Sequence, residues 1–195
     1  MMRWILVGIL VLMAAGVGWL TFDWYFNSGS GNQAYGAPFT LVDHNGGEIT
    51  EAAFKDHPSA VFFGFTNCPE ICPTTLYEMD GWLKALGEDG KNLHAYFVSI
   101  DPERDTPEVL KLYVGNVSQR ILGITGDAEK VHQMAKDFGI FFRKVETGGG
   151  EYTMDHTASV LLLDKSGDFA GTIAYGENPD SAIAKLKRLA ANKGV

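Results

Sequence analysis

The central part of the sequence alternates between continuous apolar runs and a segment with a helical apolar stripe. The runs "SAVFFGFT" (residues 59–66) and "LHAYFVSID" (residues 93–101) have strand length, and their unbroken apolar character is typical of strands buried on both faces. Between them, "TTLYEMDGWLKALGE" carries an apolar residue every three or four positions, which places these side chains on one face of a helix. The pattern predicts a buried strand, a helix and a second buried strand.

Capping residues mark the helices of the second half of the chain. Thr106 followed by Pro107 predicts a helix that begins in "TPEVLKLYVGN", because threonine caps a free N–H and proline suits the first helical position. Asp127 as the cap and Gly139 as the stop delimit a second helix in "DAEKVHQMAKDFG". The segment "NPDSAIAKLKRLAANK" closes the chain as a further helix.

Short apolar stretches supply the remaining strands. We predict strands at "APFTLVD", "RILGIT", "TASVLLLD" and "FAGTIAY", and a hairpin in "IFFRKVETGGGEYTMDH" that turns at residues 147–150. Strands that alternate with helices indicate an α/β fold, in which a central mixed sheet is flanked by helices.

The N-terminal segment has a different character. Arg3 is its first charge, and an uncharged run of roughly 19 residues follows at residues 4–22, which as a helix of about 28 Å is long enough to cross a bilayer. Bulky aromatic residues at the end of the run and just after it resemble an interfacial belt. We predict an uncleaved transmembrane anchor at residues 1–26, with a cleaved signal peptide as the alternative.

The predicted anchor sets the expected topology of the chain. Because Arg3 lies on the short side of the apolar run, we expect the N-terminus to stay in the cytoplasm. A polar, glycine-rich linker at residues 27–36 then leads to a soluble domain at residues 37–195. The protein is then a single-pass membrane protein whose soluble domain lies on the extracytoplasmic side, which in a bacterium is the periplasm.

Overall charge narrows the class of partner. The chain of 195 residues has a net charge of −8, whereas a protein that binds nucleic acid needs a basic face. The charge therefore argues against nucleic acid as a partner and against electrostatic docking on anionic lipid.

The candidate chemistry begins with the two cysteines, Cys68 and Cys72, each of which is followed by a proline. Since Pro73 suits the first position of a helix, we expect Cys72 to lie just outside that helix. The helix N-terminus then favours thiolates, the form that attacks substrates and binds metals. From the residues alone, the pair forms a structural disulfide, a redox couple or part of a metal site.

A metal site needs a further ligand besides two thiolates, and imidazole is the natural complement. Of the five histidines, His156 has a special setting, because it directly precedes the apolar stretch "TASVLLLD" and so lies at the edge of the sheet. We expect the others to be solvated or packed; these are His44, His57, His94 and His132.

Three neighbours of these residues are weaker candidates. Asp155 could accept a hydrogen bond from His156 and orient it, although adjacent strand residues point to opposite faces. We expect Asp101 to serve a turn or cap, and Met154 to pack rather than to act as a metal ligand.

Three stretches, "FGFTNCPEICPTTL", "VSIDPERDTPEVL" and "YTMDHTASVLLLD", together resemble the SCO/SenC family. The resemblance covers most of the soluble domain and implies a thioredoxin-like fold and a membrane anchor. Proteins of this family bind copper and serve assembly of the dinuclear copper centre of cytochrome c oxidase. By match to its motifs, the copper ligands are Cys68, Cys72 and His156. Soft thiolates select Cu(I), and imidazole suits both Cu(I) and Cu(II).

The expected function that follows from the resemblance is a copper metallochaperone. Its partner is the copper-bearing subunit of cytochrome c oxidase or another copper chaperone, and its anchor contacts the membrane. An extracytoplasmic thiol–disulfide oxidoreductase that acts on cysteines of copper proteins is the alternative, since copper and a disulfide are alternative occupants of two thiols. A peroxidase is a third reading of "FTNC", and whether the protein is an enzyme stays open.

Overall fold

The structure is a computed structural model that describes residues 37–191, together with Trp4, Met13, residues 16–19, 21–22 and Tyr35. The chain divides into two units, Met1–Gln33 and Ala34–Val195. In the first unit the described residues are helical, and the predicted anchor at residues 1–26 lies largely outside them. No helix in the described part of the chain combines the length and the apolar character needed to cross a membrane.

The second unit is built from nine strands and four α-helices within the described residues. The strands are β1 Thr40–Asp43, β2 Glu48–Thr50, β3 Ser59–Gly64, β4 His94–Ser99, β5 Ile121–Thr125, β6 Phe142–Gly148, β7 Glu151–His156, β8 Val160–Leu163 and β9 Phe169–Ile173. The α-helices are α1 Ile71–Leu86, α2 Pro107–Gly115, α3 Ala128–Asp137 and α4 Pro179–Ala190. Two short 3₁₀ helices lie at Glu51–Phe54 and Gly87–Gly90.

Seven of the strands form one mixed sheet in the order β2-β1-β5-β4-β3-β8-β9. Strand β3 pairs in parallel with β4 and β4 with β5, whereas β8 runs antiparallel to β3. All six residues of β3 are buried, as the continuous apolar run predicted. The helices follow the strands in alternation, so the predicted α/β fold with a central mixed sheet is confirmed.

The predicted helix caps are in place. The side chain of Thr106 accepts a hydrogen bond from the backbone N–H of Val109, and Pro107 is the first residue of α2. Asp127 accepts from two backbone N–H groups at the start of α3, and Gly139 has a φ of +66°, a left-handed conformation that ends helices. The apolar stripe of α1 is buried at Leu76, Met79, Leu83 and Leu86.

The predicted hairpin forms a separate element. Strands β6 and β7 pair with each other in a two-stranded sheet, with Gly149 and Gly150 between them. Strand β7 ends at His156, so this hairpin carries the candidate histidine. The position of His156 therefore depends on how the hairpin packs against the rest of the domain.

Candidate metal centre

The two cysteines lie where β3 gives way to α1. Cys68 is in the connecting loop, where its backbone N–H donates to the carbonyl of Phe65 at 3.3 Å. Helix α1 begins at Ile71, so Cys72 is its second residue and Pro73 its third. The prediction that Pro73 begins the helix and leaves Cys72 outside it was wrong. Proline fits anywhere in the first turn, because the N–H groups there have no acceptor inside the helix.

The two thiols differ in their exposure. Cys72 is fully buried, whereas Cys68 is partly exposed, and both are free thiols. The backbone N–H of Cys72 donates to the sulfur of Cys68 at 3.4 Å, as expected for an anionic sulfur near a helix N-terminus. The floor of the site is Gly64 at the end of β3, where a Cβ atom would come within 2.9 Å of the Cys72 sulfur.

His156 reaches this pair from the end of β7. Its Nε2 atom lies 3.5 Å from the sulfur of Cys72, although 84 positions separate the two residues in the chain. Its Nδ1 atom donates to the carbonyl oxygen of Thr157 at 2.8 Å, which leaves the lone pair of Nε2 directed at the sulfur. Ligand atoms of Cys68, Cys72 and His156 all lie within 4.8 Å of one another.

The weaker candidates have other roles. Asp155 does not orient His156; it pairs with Arg143 across the hairpin at 2.5 Å, and a backbone carbonyl orients the histidine instead. Met154 is packed into the core, as predicted. Asp101 serves a turn, since its carbonyl accepts from the backbone N–H groups of Arg104 and Asp105.

The other four histidines pack away from the cysteines. His44 accepts from the backbone N–H of Gly123 at 3.0 Å, and His132 approaches the carbonyl of Ile100 at 3.2 Å. His57 and His94 stack on each other with ring centroids 3.5 Å apart. In the described part of the chain, the only group of three metal-ligating side chains is the one at Cys68, Cys72 and His156.

Electrostatics make the two thiols unequal. A hydrogen bond from the Cys72 thiol lowers the pKa of Cys68 to about 4, with a smaller contribution from His156. The hydrogen bond with Cys68 and the burial of its own sulfur raise the pKa of Cys72 well above its usual range. At neutral pH the site therefore holds one thiolate and one thiol, and a cation at the site favours loss of the second proton.

Two sulfurs and one imidazole nitrogen form a set of donors that suits a soft metal ion. A structural zinc site needs four protein ligands, and the described residues place only three here. Soft ligands of this kind bind monovalent copper well. The partial exposure of Cys68 leaves an open side, through which an ion could enter or leave.

Comparison with known proteins identifies the family. A family model described as SCO1/SenC matches residues 27–191. The chain belongs to the SCO1/SenC family. The SCO2-like protein RP587 of Rickettsia prowazekii is 34% identical over 136 residues, which cover 69% of this chain and 66% of that protein. Mitochondrial protein SCO2 of Saccharomyces cerevisiae is 34% identical over 165 residues, or 83% of this chain and 54% of that protein. The aligned part of the chain thus spans about half to two thirds of the length of these relatives.

Solved structures of the SCO1/SenC family have the same fold. The structure of Bradyrhizobium japonicum ScoI with copper bound is 39% identical, has a TM-score of 0.74 and matches 80% of this chain and 99% of that chain. BsSco, described as a member of the Sco family of cytochrome c oxidase assembly proteins with a disulfide switch, is 26% identical with a TM-score of 0.65. The match covers 82% of this chain and 94% of BsSco. The fold of this SCO1/SenC protein is therefore thioredoxin-like.

Sequence reasoning missed the residues that support the site. Asp105 is fully buried. Its carboxylate accepts two hydrogen bonds from Thr66, which lies two residues before Cys68: one from the backbone N–H at 3.0 Å and one from the hydroxyl at 2.6 Å. Burial raises the pKa of Asp105. The stretch "DPERD" carried part of the resemblance to the SCO1/SenC family, but no local pattern indicated which side chains its residues contact.

Proposed function

We propose that this protein is a copper metallochaperone, which binds copper through Cys68, Cys72 and His156 and delivers it to the dinuclear copper centre of cytochrome c oxidase. The observation that carries the proposal is the convergence of these three donors within 4.8 Å. Membership of the SCO1/SenC family supports it, since a relative of known structure holds copper. Copper is the cargo in this function, not a resident cofactor.

The donor set suits both oxidation states of copper. Two thiolates and a neutral imidazole give a net charge of −1 with Cu(I) and zero with Cu(II), so neither form leaves a large charge in a partly buried pocket. The Nδ1–H bond to Thr157 holds the imidazole in the tautomer that presents Nε2 to the ion. Both sulfurs bind as thiolates; Cys68 is already ionised at neutral pH, so binding releases one proton, from Cys72.

Delivery requires that a partner reach the ion. Cys68 is the more exposed of the two cysteines, so a ligand of the partner can replace its sulfur first. Copper is then bound to the partner before the buried Cys72 dissociates from it. The partner is the copper-bearing subunit of cytochrome c oxidase, or another copper chaperone that loads this protein.

The proposed location follows from the N-terminal segment. Residues 1–26 form a single-pass membrane anchor with the N-terminus in the cytoplasm, and residues 27–36 form a linker to the copper-binding domain at residues 37–195. The domain then lies on the extracytoplasmic side, which is where the dinuclear centre is assembled in this proposal.

Replacement of His156 by alanine tests the metal site. We expect the full-length protein to bind one Cu(I) in competition with a chromogenic Cu(I) chelator, and H156A to bind it at least tenfold more weakly. His57→Ala is the matched control, because it removes an imidazole near the opposite end of β3. Wild-type protein without bound copper, or H156A with unchanged affinity, would refute the proposal. In cells, H156A should lower cytochrome c oxidase activity.

A second candidate function is a thiol–disulfide oxidoreductase that acts on cysteines of copper proteins. The unequal thiols favour it: the low pKa of Cys68, about 4, makes its thiolate the attacking group at neutral pH. Cys68 attacks a disulfide of the partner and releases one partner thiol. Cys72 then attacks the mixed disulfide, so that the partner gains two electrons and Cys68 and Cys72 form a disulfide. An external dithiol reductant must reset the pair.

The H156A variant distinguishes the two functions. The imidazole takes no part in the exchange of sulfur bonds, so reduction of a disulfide substrate by H156A should proceed within a few-fold of the wild-type rate. Loss of both copper binding and dithiol exchange in a folded H156A would contradict this division of roles.

A further inference from the structure

The hairpin that carries His156 makes no strand pairing with the seven-stranded sheet. A two-stranded hairpin is marginally stable by itself in water, so its position is set by side-chain contacts with the domain. The distance of 3.5 Å between Nε2 of His156 and the sulfur of Cys72 depends on those contacts.

One set of contacts links the hairpin to the loop between β4 and α2. Nη1 of Arg104 donates to the carbonyl oxygen of Tyr152 at 3.0 Å, and the centre of its guanidinium group lies 3.7 Å from the centroid of the tyrosine ring. The hydroxyl of Tyr152 donates to Asp101 at 2.8 Å, and Nε of Arg104 donates to the same carboxylate. Tyr152 is on β7, four positions before His156.

The same loop holds the cysteine segment. Asp105 follows Arg104 directly, and its buried carboxylate accepts from Thr66 as well as from the hydroxyl of Ser99 at 2.6 Å. The backbone N–H of Asp105 donates to the carbonyl of Asp101 at 3.0 Å, which closes the loop into a turn. One five-residue turn thus contacts the cysteine segment on one side and the histidine hairpin on the other.

Other contacts keep the hairpin attached if Arg104 is lost. Met154 is packed into the core, and the ring of Phe142 stacks on His132 with centroids 4.6 Å apart. The ion pair of Lys144 with Glu103 is largely exposed and therefore contributes little. Removal of Arg104 should therefore shift the hairpin rather than unfold it.

The burial of Arg104 also has a cost in folding free energy that a role in stability alone does not explain. Its Nη2 atom is buried and has no hydrogen-bond partner among the described residues. An unpaired buried donor costs free energy that an apolar side chain of similar size avoids. In return, Arg104 makes one hydrogen bond and one ring contact to Tyr152 on β7, and a second hydrogen bond orients the carboxylate of Asp101 that accepts from the hydroxyl of Tyr152.

We infer that Arg104 is a positioning residue for His156, which acts through Tyr152 to hold the imidazole within bonding range of the two sulfurs. The inference rests on the proposed copper function. Arg104 itself does not touch the ion, and its effect on copper passes entirely through His156.

A double-mutant cycle on the full-length protein tests this inference. Cu(I) affinity is measured by chelator competition for wild type, R104A, H156A and the double variant. We expect R104A to weaken binding about 10- to 100-fold, the usual effect of losing a residue that orients a ligand. In the H156A background the same change should cost less than about threefold, because the group it positions is gone. Arg188→Ala, which removes an exposed arginine of α4, should have no effect in either background.

Spectroscopy supplies a readout that a general loss of stability would not move. The Cu(II) form of the wild type and of R188A should show nitrogen hyperfine coupling from the imidazole in electron paramagnetic resonance. R104A should lose or weaken this coupling and keep the sulfur-to-copper absorption band. If R104A does not fold, R104K replaces it: lysine keeps the charge but lacks the planar fork, and a smaller loss confined to the background with His156 is expected.

The outcomes separate this inference from the proposed function. If H156A binds copper as tightly as wild type, the proposed metal site is wrong. If H156A is weak but R104A is unchanged, or if R104A costs the same in both backgrounds, the metal site stands and the role of Arg104 is refuted.

Discussion

Gly64→Ala is the substitution that most directly tests the packing beneath the metal site. Gly64 ends β3, and an ideal Cβ atom there would lie 2.7 Å from Cε2 of Phe97 and 2.9 Å from the sulfur of Cys72. Both distances are well inside the ~3.5–4.0 Å of ordinary contact. The rings of Phe97 and Phe62 and the thiol of Cys72 are fully buried, so none of them can move aside into solvent.

The expected cost follows from this overlap. Insertion of one methyl group into a packed core destabilises a protein by about 1–3 kcal/mol, and we expect about 2 kcal/mol here. With a urea dependence of about 2 kcal/mol per molar, the unfolding midpoint falls by about 1 M. A sulfur displaced by about 0.5 Å also leaves the ~0.2 Å tolerance of metal–ligand distances, so Cu(I) affinity should fall at least tenfold, or about 1.4 kcal/mol.

Urea unfolding followed by tryptophan fluorescence, together with Cu(I) competition, measures both effects. Gly81→Ala is the matched control: it lies in the middle of α1, and its Cβ would have no neighbour within 4 Å. Because alanine is the better helix former, G81A should gain up to about 1 kcal/mol and bind copper normally. If G64A matches the stability and copper affinity of G81A, the sulfur does not rest on the backbone of β3 and the reasoning is refuted.

Three further predictions concern titratable side chains. Asp105→Ala removes the acceptor of the backbone N–H and hydroxyl of Thr66, so the unfolding free energy in urea should fall by about 3 kcal/mol, and an unchanged value would contradict the role of this carboxylate. Its hydrogen bond to Cys68 and its burial raise the pKa of Cys72, so this thiol keeps its proton at neutral pH and releases it when Cu(I) binds. The apparent Cu(I) affinity should therefore rise about tenfold per pH unit between pH ~7 and ~8. An affinity that does not change with pH would disprove this prediction. Hydrogen bonds from Lys185 and Ser181 lower the pKa of Glu177 to about 2, so this carboxylate stabilises the fold above its ordinary pKa of 4.5, an effect lost as the pH falls towards 2. E177Q should therefore cost about 1 kcal/mol at neutral pH and much less at pH ~2, where the folded-state carboxylate is about half protonated, as measured by denaturation at both pH values.

The elements of the fold were predictable because their signals are local. A continuous apolar run, such as that of β3, indicates a buried strand. A capping residue followed by proline, such as Thr106 with Pro107, indicates the start of a helix. Each of these signals depends on a few adjacent residues whose backbone geometry allows a small number of arrangements. The start of α1 was misplaced because a proline fits at any position of a first turn, and the residues alone do not choose among them.

The candidate site was predictable only in part, for a related reason. The cysteine pair is local, but His156 reached the site in the prediction through resemblance to the SCO/SenC family. Its orienting partner was harder still: Asp155 follows the alternation of a strand and points to Arg143, while the carbonyl of Thr157 takes its place. A backbone carbonyl has no sequence signature, so no pattern could have identified it.

The two proposed functions use different parts of the site. Dithiol exchange needs only the two neighbouring cysteines, whereas copper binding also needs the distant His156. Cys68 and Cys72 are brought together by one loop and the first turn of one helix, and the largest cause of their unequal pKa values, the hydrogen bond between the two sulfurs, lies within that segment. His156 is 84 positions from Cys72 in the chain, and it lies beside that sulfur in a hairpin that contacts the turn containing Arg104. A perturbation that loosens the hairpin should therefore weaken copper binding and leave dithiol exchange intact, whereas a perturbation at the start of α1 should impair both. The order in which the two activities are lost along a series of hairpin variants reports directly whether the third ligand belongs to the site.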